Sequence, residues 1–195
     1  KPVRAIVAAG PGSTIDVIPR VVFEQLSTQL GQPVVVENRA GAGGTIAANF
    51  VAQADPDGYT ILVHSAAHTI SPSLYPNLAY KPDVDFEPIG LVSEFPMLIV
   101  ARPDFPPKDL KPFVAYVRAN HPKLNVGHAG IGSVLFITNI LLDSILKVKP
   151  TMVPFNGGLP AMNALVSGQV DYLCADATTA APQLEGGKIK AYAIA

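Results

Sequence analysis

Two imidazoles four positions apart, in His64-Ser65-Ala66-Ala67-His68, have the spacing of a helical zinc pair. The stretch lacks the glutamate of H-E-x-x-H. It also follows the strand-like run Thr60-Ile61-Leu62-Val63, so a loop is expected there and a metal is not. Gly130-Ile131-Gly132-Ser133 is not a G-x-S-x-G nucleophile elbow, because its serine follows the second glycine. Cys174 ends an apolar run with no base beside it in sequence and reads as a small buried residue. His121 and His128 read as surface or loop histidines. Asp16 and Asp176 stand where strands pass into helices, where a carboxylate either caps the helix or reaches a ligand. No residue is assigned a catalytic role, and no metal or cofactor is expected.

The recurring feature is a junction of strand, small-residue loop and helix. It occurs near Gly12, Gly43, Ser65, Gly132, Gly157 and Asp176. Such a loop exposes backbone N–H groups, and the helix dipole adds partial positive charge, so the junction attracts anions. In parallel sheets these loops lie beyond the carboxyl ends of the strands, where ligands bind. The plain alternative is that the glycines only make tight turns. The kind of anion is narrowed by what is missing. No Gly-Lys-Ser/Thr follows the glycines, so there is no Walker A loop. Gly41-Ala42-Gly43 opens like a dinucleotide fingerprint, but Ile46 takes the place of the third small residue. Backbone donors and small hydroxyls without clustered Arg or Lys suit a carboxylate better than a polyphosphate.

The elements that must position these loops are legible. Gln32 to Val63 reads as strand (Val34-Val35-Val36), glycine loop (Gly41-Ala42-Gly43-Gly44), helix and strand, a parallel βαβ crossover. Its helix is expected to be capped by Thr45 and to bury Ile46, Phe50, Val51 and Ala54. Before it, Val3 to Ala8 reads as a strand. A helix from about Asp16 follows, its apolar face Val17, Val21, Val22, Leu26 and Leu30, with Pro19 confined to the first turn and Gly31 at its end. Ile89–Val92 and Met97–Ala101 read as strands, and Leu74 to Pro88 as irregular. Later strands are expected at Leu124–Gly127, Thr151–Pro154, Val170–Cys174 and Ile189–Ile194. Helices are expected to run to Asn120, from Val134 to Leu146, and from Pro160. Pro182 to Gly187 reads as a turn.

With 195 residues, 49% of them hydrophobic, the chain can bury a sizeable core in one domain or two small ones. A formal net charge of -1 argues against a nucleic-acid partner, which requires a basic surface. Apolar runs are of strand length, so no transmembrane helix is expected. A single cysteine forbids an intrachain disulfide.

In combination the motifs resemble one family, the Bug/TctC solute-binding proteins of tripartite tricarboxylate transporters. The resemblance rests on Gly10-Pro11-Gly12-Ser13-Thr14-Ile15-Asp16 with Arg20, and on Gly31-Gln32-Pro33 through Val36-Glu37-Asn38-Arg39-Ala40-Gly41-Ala42-Gly43-Gly44. Pro56-Asp57-Gly58-Tyr59-Thr60, Leu74-Tyr75, Asp85-Phe86-Glu87-Pro88 and Gly130-Ile131-Gly132-Ser133 continue it. So do Val153-Pro154-Phe155-Asn156-Gly157-Gly158 and Gly168-Gln169-Val170-Asp171.

The resemblance implies an α/β protein of the type II periplasmic-binding-protein fold. Two lobes with mainly parallel central sheets would be joined by crossing hinge strands: residues 1–99 with 190–195, and residues 100–189. A family member would continue beyond Ala195, so the first lobe is expected to be incomplete at its C-terminal end. Ligand residues would be Ala9, Pro11, Gly12, Ser13, Thr14 and Asp16 in the first loop. Ser65, Ala66, Ala67, Gly130, Ile131, Gly132, Ser133, Asn156, Gly157 and Asp176 would supply the rest. Ala9 stands where the family often has phenylalanine, implying a roomier cleft, and Ser13 replaces a common glycine. Glu37, Asn38 and Arg39 would brace the glycine loop. Asp16 and Asp176, ionised in the cleft, would favour a ligand that also carries an amino or hydroxyl group.

The function so implied is capture of a small organic carboxylate in the periplasm, after removal of a signal peptide, by a monomer that hands it to membrane permease subunits. The alternative from another class is an enzyme acting on a small carboxylate, with Asp16, His128 or Asp176 as acid or base.

Overall fold

The computed structural model describes residues 1–194, which divide into two compact units, Lys1–Glu94 and one beginning at Phe95. The first unit contains β1 (Val3–Val7), α1 (Thr14–Leu30), β2 (Val34–Asn38), α2 (Thr45–Ala52), β3 (Thr60–Val63) and α3 (Ala67–Leu74). Its three strands are parallel in the order β2-β1-β3, with Val3 opposite Val34 and Arg4 opposite Thr60. Alternate residues of a strand face opposite sides, so the central strand is apolar on both. Ala5 and Val7 pack with Phe23 of α1 and with Val63, while Ile6 and Ala8 pack against Ala47, Phe50 and Val51 of α2.

The second unit contains β4 (Met97–Ala101), α4 (Leu110–Asn120), β5 (Asn125–His128), α5 (Val134–Leu146), β6 (Thr151–Pro154), α6 (Gly158–Val166), β7 (Tyr172–Asp176), α7 (Ala177–Glu185) and β8 (Lys190–Ile194). The sheet order is β6-β5-β7-β4-β8; β5 runs parallel to β6 and β7, and β4 antiparallel to β7 and β8. One face of the sheet buries Val100, Leu173 and Ala175 against Met162 and Leu165 of α6 and Ala180 of α7. The other buries Ala101, Val126 and Tyr172 against Phe113 and Val117 of α4 and Leu146 of α5. Phe113 meets Tyr172 edge-on at 5.3 Å between ring centroids.

The compact units meet at Glu94/Phe95, and β4, the first strand of the second, is hydrogen-bonded along its length to β7. The final strand, β8, pairs with β4; Ala195 lies outside the described residues.

Several local expectations change. Helix α1 begins at Thr14, so Pro19 sits in its second turn, and the buried face is Pro19, Phe23 and the partly buried Leu26. Val17, Val21, Val22 and Leu30 are 41–63% exposed. Both sets fit a 3.6-residue period, and Asp16, 3% exposed and bonded to Asn38 of β2, sets the rotation of the helix. In α2 Gly44, not Thr45, is the N-cap, and Ile46 is 52% exposed while Ala47 and Ala48 are buried. Ile89–Val92 is not a strand: Pro88 and Gly90 interrupt it, and it pairs with no strand among the described residues. Pro182, expected to open a turn, lies inside α7.

Candidate functional site

Each unit gathers its junction loops at the carboxyl ends of its parallel strands. In the first unit β1 leads into Gly10–Ser13, β2 into Gly41–Gly44 and β3 into Ser65–Ala66. In the second, β5 leads into Gly130–Ser133, β6 into Asn156–Gly157, and β7 directly into α7 through Asp176. The candidate residues are therefore brought together in two groups, one per unit.

The loops ahead of α1 and α5 share the conformation of their second glycine and serine but differ at the first glycine, since Gly130 has φ 97° and Gly10 is not in the left-handed region. Gly12 and Gly132 have φ of 78° and 82°, the left-handed conformation that glycine supplies. Ser13 and Ser133 are the N-caps, with φ/ψ of -74/160° and -70/155°. The Ser13 hydroxyl donates to the Gly10 carbonyl at 2.8 Å, and that of Ser133 to the Gly130 carbonyl at 2.7 Å. Ser133 Oγ also accepts from the Phe136 N–H at 3.2 Å and so caps α5, whereas Ser13 makes no side-chain cap.

The third helical position separates the two loops. It is Phe136 in α5 and Asp16 in α1. Asp16 Oδ2 accepts the Gly12 N–H at 2.9 Å. Asp16 Oδ1 accepts from Arg20 Nε at 2.9 Å and Asn38 Nδ2 at 2.8 Å, with Arg20 Nη2 at 2.8 Å. Burial pushes the Asp16 carboxyl up, but the hydrogen bonds from Arg20, Asn38 and Gly12 outweigh it and hold the group below the usual carboxylate range. The Gly12 amide, expected to serve a ligand, is thus engaged by the chain's own carboxylate. Asn38 Nδ2 also donates to the Ala9 carbonyl at 3.0 Å, which ties the end of β2 to the start of the first loop.

At the end of β3, His64 Nδ1 accepts the Ser65 N–H at 2.8 Å and the Ser65 hydroxyl accepts the Ala67 N–H at 3.4 Å. His68 lies in the first turn of α3, not in a loop. Its ring centroid is 5.2 Å from that of His64, and it stacks on Tyr80 and meets Phe86 edge-on. Among the described residues no group of three His, Cys, Asp or Glu is placed to hold a metal. Burial depresses His64 to about 4 and His68 below its ordinary value, so both rings are neutral near pH 7.

In the second unit three helix N-termini converge. A Cβ placed on Gly158 would stand 3.6 Å from Leu135 Cδ2 and 3.9 Å from Asp176 Oδ2, which brings the starts of α5, α6 and α7 together. Asp176 is buried and caps α7, accepting the Thr179 N–H at 2.9 Å and the Thr179 hydroxyl at 3.0 Å. Gly157, the N-cap of α6, has φ 123°, and Asn156 beside it is exposed. His128 is 2% exposed, contrary to the surface or loop reading; burial lowers its pKa, and its Nδ1 accepts the Gly130 N–H at 3.2 Å. Cys174 is buried as expected, its thiol pushed up to about 12. Its N–H donates to Asn139 Oδ1 at 2.9 Å, and Asn139 Nδ2 donates to the Gly127 carbonyl at 2.9 Å. Asn139 was not singled out in the sequence, because a lone polar residue in an apolar helix does not reveal its partners.

A cavity of about 450 Å³ in the first unit lies away from these loops, among Lys1, Arg4, Phe50, Asp57 and Tyr59. It includes none of the candidate residues.

Residues 18–195 match the family described as the tripartite tricarboxylate transporter family receptor, TctC. The chain belongs to that family. Its structure is similar to that of MatC from Rhodopseudomonas palustris with bound malate, at 47% identity and a TM-score of 0.89, covering 99% of this chain and 66% of that one. It is similar to the periplasmic binding protein BugD at 44% identity and a TM-score of 0.92, covering 99% and 64%. It is also similar to an R. palustris protein with adipate, at 29% identity and a TM-score of 0.92, covering 98% and 64%. The α/β fold, part of a two-lobed architecture, is that of these periplasmic binding proteins. The chain spans 56–60% of the length of the first curated relatives that it matches. Among the described residues no helix is long and apolar enough to cross a membrane.

Proposed function

We propose that this TctC-family chain is part of a periplasmic receptor that captures a small organic carboxylate and presents it to the permease subunits of a tripartite tricarboxylate transporter. The observation that carries the reading is the pair of serine-capped glycine loops, one ahead of α1 and one ahead of α5, in a chain whose relatives hold malate and adipate. Helix N-termini and backbone N–H groups attract carboxylates without needing a bound cation. The ligand residues are Ala9, Pro11, Gly12, Ser13 and Thr14 of the first loop, those of Ser65–Ala67, and those of Gly130–Ser133 with Asn156, Gly157 and Asp176. Closure of the two lobes around the ligand supplies affinity and marks the loaded state for the permease.

Proton-transfer chemistry is the less supported reading. Asp16 is held ionised by Arg20, and His128 is buried against the Gly130 amide. A thermal-shift screen of the full-length protein against mono-, di- and tricarboxylates tests the proposal. A ligand at a hundred times its dissociation constant adds about 2.7 kcal/mol, a shift of several degrees. A shift with one class of carboxylate, with the ligand recovered unchanged, supports a transport receptor. Conversion of the ligand, or no shift with any carboxylate, overturns it.

A further inference from the structure

We propose that Asp16 is a positioning residue, a built-in carboxylate that occupies the Gly12 amide and, with Arg20 and Asn38, fixes the Gly10–Thr14 loop to the end of β2 before a ligand arrives. The inference rests on the carboxylate-receptor reading and departs from the expectation that Asp16 selects ligands bearing a hydroxyl or amino group.

The geometry assigns every part of the network. Asp16 is 3% exposed, and both of its oxygens are engaged: Oδ2 by the Gly12 amide, Oδ1 by Arg20 and Asn38. Arg20 Nη2 continues to Asn38 Oδ1 at 2.9 Å, and Asn38 Nδ2 reaches the Ala9 carbonyl. One carboxylate, one guanidinium and one amide therefore join α1, the loop and β2 in a closed set of hydrogen bonds. Arg20 is the counter-ion of Asp16, and this leaves recognition of the ligand to uncharged donors of the loop. The α5 loop shares the left-handed second glycine and the serine-to-glycine hydroxyl bond but has no such carboxylate; there Ser133 caps the helix instead. In the α1 loop, where Ser13 makes no side-chain cap, Asp16 supplies the bracing. A loop held in its bound shape loses less conformational freedom on binding, so bracing raises affinity without touching the ligand.

The test uses the full-length protein and its D16N, D16A, R20A and R20K variants. Malate and succinate, which differ by one hydroxyl, are titrated calorimetrically, and exchange of the Gly12 amide is followed by NMR in the free protein. Positioning predicts that D16A weakens both ligands by the same factor, about tenfold or more, and leaves their affinity ratio unchanged. It also predicts that Gly12 exchange accelerates in D16A and R20A, and that R20K restores part of what R20A loses. A change of about threefold or more in the malate-to-succinate ratio for D16N makes Asp16 a ligand contact and overturns the proposal. Wild-type affinity in D16A with an equally protected Gly12 amide overturns it too. Failure of the wild-type protein to bind any carboxylate overturns the receptor reading instead. The Gly12 amide then still decides the bracing, upheld by faster exchange in D16A and overturned by equal exchange.

Discussion

Gly44 and His64 leave no room between them: a Cβ on Gly44 would lie 2.2 Å from His64 Nε2. The glycine loop after β2 thus rests directly on the imidazole at the end of β3. Gly44 also has φ 93°, so its identity is required by space and by backbone conformation together.

Gly44→Ala is expected to destabilise the first unit by about 2 kcal/mol or more, from strain at positive φ and from overpacking. Urea denaturation measures it. In an H64A background, which carries its own cost for the lost ring, G44A keeps the conformational part and loses the overpacking part, so it costs less there than in the wild type.

His64 makes this unit acid-sensitive. Its folded pKa is about 4 and its unfolded value 6.5, so the unfolded chain binds more protons between those pH values. Stability is full above about pH 6.5 and falls as pH drops toward 4, by up to about 3 kcal/mol. Replacing His64 with glutamine is expected to flatten this dependence. Denaturation midpoints at pH 7 and pH 4.5 give the comparison.

Asp143 acts with the opposite sign in the second unit. Burial pushes its carboxyl up to about 6 from 3.8, against a weaker downward pull from the Tyr172 hydroxyl, which donates to it at 3.5 Å. The folded state therefore binds more protons between about pH 4 and 6, and its relative stability is lost as pH rises through 6. Asp143→Asn keeps the partner and removes the charge. It is expected to stabilise the unit by about 1–3 kcal/mol at pH 8, the gain shrinking toward pH 4.

Asn139 holds α5 to two strands, through the Gly127 carbonyl of β5 and the Cys174 amide of β7. Asn139→Ala leaves both groups buried without partners and is expected to cost about 2–4 kcal/mol. Exchange of the Cys174 amide should accelerate in step with the loss, which hydrogen-exchange mass spectrometry reads.

The two loop serines should differ. Ser133→Ala removes a helix cap and is expected to cost about 1 kcal/mol, whereas Ser13→Ala removes only the bond to Gly10 and costs less. Thermal denaturation of the two variants separates them.

The βαβ order, the glycine junctions and the family were readable because they depend on local signals. A β-branched run, a glycine that must take positive φ and a serine before a helix each act over a few residues. Helix rotation was not readable in α1, where Val17, Val21 and Val22 fit the same period as Pro19 and Phe23. Pro182 concealed α7, because proline's usual effect is to end a helix and here the helix continues through it.

By itself, then, the sequence determined the junctions, since a glycine turn and a helix start need only short-range chemistry. Tertiary structure decided what those junctions already hold. Asp16 meets Asn38 across 22 positions of chain, and His64 meets Gly44 across 20; no local propensity encodes either meeting. β8 beside β4 is the same kind of outcome, settled by which strand edge can complete its hydrogen bonds, and that depends on all the other strands of the sheet.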